Sequence, residues 1–190
     1  GRHWLDVARF AESNGNDRNV IFPHAWRYRD YVIRSFNADK PFDQFVREQI
    51  AGDLLPSADW KQRDEHLIAT GFLTLGSKVL GEGDKELFKM NLIDEQIDVM
   101  SRAFLGLTVS CARCHDHKFD PIRAKDYYAI SSFLQSTRLQ QASLDRNGRI
   151  KTSLDNLLGL RKNINQAQIS KKEAAEFEKY LSAEMTDICA

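Results

Sequence analysis

Cysteine is scarce, at three residues in 190. A chain of this length can bury a core large enough to stand without cross-links, so a disulfide scaffold is excluded as its organising device. Proline is sparse too, with four residues. Pro41 suits the first turn of a helix, Pro56 ends one, and Pro121 marks a turn in "FDPI". Neither sign of charge is in excess, since 27 basic residues balance 27 acidic ones. That removes the electrostatic case for nucleic acid or an anionic membrane as partner. No apolar run is long enough to span a bilayer. Alternating strand patterns are missing as well, "LTVSC" being the nearest to one.

What remains is helical. Trp4, Leu5, Val7, Ala8, Phe10 and Ala11 form one apolar face, closed by the polar loop "SNGNDRN". "AWRYRDYVIRSF" repeats the pattern over 25–36 with Trp26, Tyr28, Val32, Ile33 and Phe36. "FDQFVREQIAGDLL" places Phe42, Phe45, Val46, Gln49 and Ile50 at helical spacing, and a further helix is predicted from Asp59 to Leu73. "GSKVLGEGDKE" reads as a loop before a helix over 92–107, and Lys125 to Leu134 supplies a last one. The expectation is an all-α, irregular domain of about six helices over 1–135. Residues 136–190 follow as a linker and a helical hairpin or coiled-coil arm. In that arm Ser170 to Glu173 has the capping-box pattern, and Ala174, Phe177, Leu181, Met185 and Ile188 share one side. The opening "GRHWLDVARF" has no initiator Met and reads as the interior of an amphipathic helix, so the chain is expected to be a piece of something longer.

Against this background "CARCHDH" stands out. It concentrates Cys111, Cys114, His115 and His117 in seven residues. Cys-x-x-Cys-His is the attachment signature of a c-type haem. Two thiols three residues apart lie on one side of a helical turn and can meet the two vinyl groups, and the next imidazole then reaches the iron. A thioredoxin-like dithiol would need a βαβ setting, which a helical context does not offer. A zinc site usually draws on two separated ligand pairs, and here all four candidates are local. Haem c is therefore expected, with zinc or a merely structural motif as the alternatives. Cys189 is left over as a free thiol.

Read in order, "RHWLDVARF", "WRYRDYVI", "FDQFVREQIAGDLLP", "ATGFLTLG" and "FLGLTVSCARCHDHKFDPI" followed by "DYY" carry a family likeness. From Gly1 to about Phe133 the chain resembles the cytochrome-like domain of large planctomycete secreted proteins. That domain often sits with a cytochrome c module and a following conserved domain. Where the family usually has Tyr in "VARY", this chain has Phe10. The resemblance implies a periplasmic or otherwise extracytoplasmic location and an electron-transfer role. It also implies other cytochrome or redox domains as partners, in the company of polysaccharide-degrading enzymes.

Carried onto this sequence, Cys111 and Cys114 would hold the haem and His115 would be the proximal axial ligand. His3 and Met100 are the distal candidates, with an open sixth position as the other possibility. Arg113, Asp116 and His117 fall around the ligand, His117 either bonding a propionate or fixing the "HDHKFDP" turn. Asp116 and Asp120 are expected in turn and cap roles ahead of a calcium site. Asp6, Arg9, Arg27, Arg29 and Asp30 read as ion pairs joining helices, with propionate neutralisation as the alternative. The main functional expectation is an electron carrier. A haem enzyme, peroxidase-like or substrate-oxidising, and a zinc-stabilised or carbohydrate-associated structural module are its rivals.

Overall fold

The computed structural model describes residues 1–16, 18–145, 148–166 and 178–179. Helices account for its regular structure: α1 (Arg2–Val7), α2 (Ala25–Asn37), α3 (Phe42–Ala51), α4 (Trp60–Ala69), α5 (Lys85–Met100), α6 (Ala124–Gln135) and α7 (Arg149–Gln166). Among the described residues the extended pairing is limited to one antiparallel bridge between Ser13 and Ile21. The domain is all-α, as the periodicity predicted. None of these helices is long and apolar enough to cross a membrane.

The N-terminal half is built on aromatic rings. Trp4 lies 5.0 Å from Phe45 edge to face, 6.0 Å from Phe72 in a stack, and 5.8 Å from Phe104. Such ring pairs add roughly 0.5–1.5 kcal/mol each beyond their buried area. The Trp4 indole N–H is shared between Tyr28 Oη and Gln49 Oε1, both at 3.1 Å, so a small first helix is pinned to α2 and α3 at once. The expected face of α3 is corrected. Phe42 and Ile50 are exposed, while Phe45, Glu48 and Gln49 turn inward. Polar partners on α2 and in the 38–41 turn make that burial tolerable, as described below. Immediately after α3, Gly52 is obligatory by proximity: a Cβ there would sit 2.2 Å from the His66 carbonyl oxygen.

Helix α5 starts at Lys85, well ahead of the predicted Leu92, because Asp84 caps it by accepting from the N–H groups of Glu86 and Leu87. Beyond Met100 it widens into a π-turn over Ser101–Leu105 and ends at Gly106, whose φ of 65° is the left-handed conformation that glycine adopts without strain. "LTVSC" is not extended. Val109–Arg113 forms a 3-10 turn. Ile93, Ile97, Val109, Ala112, Tyr127 and Leu134 make a second, smaller core, and Met100 packs against both cores.

In the segment after α6, Leu144 rests on the aromatic core and Asp145 is buried, so part of the expected linker packs on the domain. Helix α7 then accounts for the first part of the expected arm. The capping box at Ser170, the stripe from Ala174 to Ile188, and Cys189 lie outside the described residues.

Candidate functional site

The 3-10 turn sorts its side chains by threes, because residues i and i+3 eclipse one another in that geometry. Val109 and Ala112 face the second core and are buried, whereas Cys111 and Cys114 are exposed free thiols on the outer edge. Arg113 ties the turn to α5, with its guanidinium 3.2 Å from Asn91 Oδ1 and 3.3 Å from Asp94 Oδ2. Ser110 Oγ donates to the Asp94 backbone carbonyl at 3.2 Å. From α6, Tyr127 Oη donates to Asp94 Oδ1 at 2.8 Å and Tyr128 Oη donates to the Arg113 carbonyl at 2.9 Å. Two helices thus hold the motif from behind and leave the thiol edge open.

The two motif histidines differ in the state of their rings. His115 is exposed, and its Nδ1 lies 2.8 Å from the Asp116 backbone oxygen. A carbonyl can only accept, so the proton sits on Nδ1 and the lone pair on Nε2. This is the second-sphere contact characteristic of metal-ligating histidines. The Asp116 carboxylate, meanwhile, accepts from the Ala124 N–H at 2.8 Å and steadies the start of α6.

His117 is the reverse case. Its side chain is only 6% exposed. Its Nδ1 accepts from the backbone N–H groups of Phe119 (3.2 Å) and Asp120 (2.9 Å), so Nε2 carries the proton and donates to Thr108 Oγ1 at 2.9 Å. The His117 N–H donates to the Ile122 carbonyl at 2.8 Å, closing the loop through "HDHKFDP". Of the two roles expected for His117, fixing this turn is the one seen. Asp120 Oδ2 stands 3.3 Å from Nδ1, an additional partner should the ring become charged.

Thr108, Cys111, His115, His117, Phe119 and Asp120 line one groove of about 490 Å³. That volume is within the range of small-molecule and cofactor sites. Phe119 projects from its rim, 83% exposed. Cys111 and His115 therefore come together as the motif predicted. Cys114 is on the same exposed edge. The two distal candidates are placed elsewhere: His3 is exposed on α1, and Met100 lies between the cores, neither lining the groove. Among the described residues no three His, Cys, Asp or Glu side chains converge as a ready metal cluster.

The charged residues of the aromatic half form ion pairs in three of the expected cases. Arg9 bonds Glu95 at 3.0 Å, and Arg29 bonds Glu12 at 2.9 Å and Asp30 at 3.3 Å. Arg27 lies over the ring of Trp26 at 4.9 Å. Burial pushes the Glu95 carboxyl up, against the pull of Lys78 and Arg9.

One polar centre escaped the motif reading. Glu48, 1% exposed, accepts from Tyr31 Oη (2.7 Å), Lys40 Nζ (2.5 Å) and Gln44 Nε2 (2.8 Å), with His66 Nε2 3.7 Å away. Burial alone would raise this carboxyl, but the bonds from Lys40, Tyr31 and Gln44 hold it below the ordinary range. Burial, and then the Glu48 carboxylate, push the Tyr31 phenol up, so it stays a neutral donor. Hydrophobic period could not reveal Glu48. The signal available was its place between Phe45 and Gly52 on the inward row of α3.

No curated protein and no solved structure matches the chain. A family model does, over residues 1–139, and its description is "Protein of unknown function (DUF1549)". That span contains both cores and the whole Cys-x-x-Cys-His turn, and it reaches slightly past the Phe133 limit drawn from the motifs. On this match the chain belongs to the PSCyt2 family.

Proposed function

We propose that the domain carries one covalently attached c-type haem on Cys111 and Cys114, with His115 as proximal ligand, and serves as an extracytoplasmic electron-transfer module within a larger secreted protein. The observation that carries the reading is the His115 ring: its Nδ1 is engaged by the Asp116 carbonyl, which leaves Nε2 as the nitrogen to ligate, and the ring lines the same groove as the exposed Cys111. The residues fit the group on chemical grounds. The sulfurs are free and on the eclipsed edge of one turn, and Cys111 and His115 share a groove of suitable size.

When bound, the haem supplies one-electron exchange at its iron. The chain's own side chains do the rest. Asp116 fixes the imidazole, the Arg113–Asp94–Tyr127 bonds hold the thiol edge rigid, and Thr108 and His117 keep the far wall of the groove in place. Location outside the cytoplasm follows from the attachment chemistry. Other redox domains of the same or a neighbouring protein are the natural partners.

A second reading draws on the distal side. His117 has both nitrogens engaged, and His3 and Met100 do not line the groove. An open sixth position would suit a haem enzyme instead of a carrier.

Expression of the chain with c-type maturation machinery tests both. A pyridine haemochrome spectrum should show haem that survives acid-acetone extraction, and the Cys111→Ala/Cys114→Ala variant should show none. Extractable haem, or zinc in place of iron, overturns the proposal. Carbon monoxide binding by the reduced protein selects the enzyme reading, and its absence selects the carrier.

A further inference from the structure

A second cavity, of about 410 Å³, opens between α3 and α4, and its wall includes Lys40, Glu48, Lys61, Gln62 and His66. It shares no residue with the groove around Cys111. Ser57 stands beside it in the turn before α4, exposed, with its Oγ 3.1 Å from His66 Nδ1. The other ring nitrogen, Nε2, faces the Glu48 carboxylate at 3.7 Å. An Nε2 that faces an anion is the nitrogen favoured to hold the proton, which leaves Nδ1 as the acceptor of the Ser57 hydroxyl. A nucleophile within reach of a base, the base oriented by a third group, is the arrangement that activates serine.

The surroundings suit that role. His66 and Glu48 are 6% and 2% exposed at their side chains, so the base and its carboxylate are shielded while the hydroxyl is not. Glu48 is held in place from three elements, by Tyr31, Lys40 and Gln44. Gly52 lets the His66 backbone lie close against the end of α3.

We propose that Ser57 and His66, with the Glu48 carboxylate beside the ring, form a nucleophile–base pair that hydrolyses small carboxylic esters next to this cavity, whose wall includes His66 and the adjoining Ala58. Ser57 Oγ attacks the carbonyl carbon while its proton passes to His66 Nδ1. The carbon–oxygen bond to the alcohol breaks, and the alcohol leaves with that proton. Water, deprotonated by His66, then cleaves the acyl-serine to the carboxylic acid and restores the hydroxyl.

The test uses the full chain, a fluorophosphonate probe and 4-nitrophenyl acetate. One probe should attach per chain, on the peptide containing Ser57, with ester hydrolysis lost in step. Ser57→Ala, an exposed change that leaves the core untouched, should abolish labelling. His66→Gln should slow it by about a hundredfold or more, the range of a general base. Preparations with and without attached haem should label alike, which separates this site from the haem proposal. No adduct, an adduct elsewhere, or equal labelling of Ser57→Ala overturns the inference. If His66→Gln does not fold by circular dichroism, Ser57→Ala decides alone, and labelling of that variant at the wild-type rate overturns the inference.

Discussion

The two cores of this domain handle polar groups in opposite ways. Around Trp4, Tyr31 and Phe45 the polar atoms are drawn inward and satisfied there: Glu48 is surrounded on α2, α3 and the turn between them, and Gln49 is shared by Trp4 and Tyr28. Around Val109, Ala112 and Tyr127 the two thiols and the His115 ring are turned outward, and the motif is a surface strip clamped from behind by groups such as the buried Tyr127. Removing a partner inside the first region strands charge in a dry setting. Removing one at the exposed edge of the second, such as the Tyr127 bond to the partly exposed Asp94 carboxylate, lets water take its place. One half is a scaffold whose shape depends on buried polar bonds, and the other is a rim that presents two thiols and an imidazole.

Glu48 should give the largest effect. Glu48→Ala leaves the Lys40 ammonium and Tyr31 hydroxyl without their acceptor, and the loss should be about 3–5 kcal/mol in urea denaturation. An effect below about 1 kcal/mol would place Glu48 with ordinary surface charges. The same carboxylate sets an acid limit. Its folded pKa lies below the unfolded value near 4.5, so its contribution is present above about pH 4.5 and fades as pH falls through the folded value. Glu48→Gln should flatten that acid limb of a stability-versus-pH curve, measured against the wild type.

At the motif end Thr108→Val leaves the buried Nε2–H of His117 unanswered, and the expected cost is about 1–3 kcal/mol. It should also appear locally, as faster amide exchange at Phe119 and Asp120, whose N–H groups rest on His117. Tyr127→Phe removes one bond to Asp94 that water can replace, so about 1 kcal/mol or less is expected by thermal denaturation. Were Tyr127→Phe to cost as much as Glu48→Ala, the distinction between the two regions would fail. Asp84→Ala, a cap remote from both centres, should cost about 0.5–1 kcal/mol and serves as the baseline.

Much of this was legible in the residues themselves. The helices α2, α3, α4 and α6 follow from apolar spacing and from breaks at Pro41 and Pro56, because a period near 3.6 in so strand-poor a sequence has one economical reading. That Cys111, Cys114 and His115 lie close together was legible as well, since they are neighbours along the chain. The inward row of α3 was not legible: Phe42 and Ile50 look like core and are exposed, while Glu48 looks like surface and is buried. Period alone cannot know that Tyr31, Lys40 and Gln44 converge to meet a carboxylate.

The amino-acid order by itself determined that this is a helical domain with one exposed thiol–imidazole turn, because both properties are local and depend on neighbours within a few residues. The free nitrogen of a ring depends on its surroundings, set locally for His115 and His117 and only by the tertiary structure for His66. His115 keeps Nε2 open, His117 has none to spare, and His66 offers Nδ1 to Ser57. The reason is physical: a ring's proton goes where a neighbouring acceptor stands, and for His66 that acceptor comes from another helix.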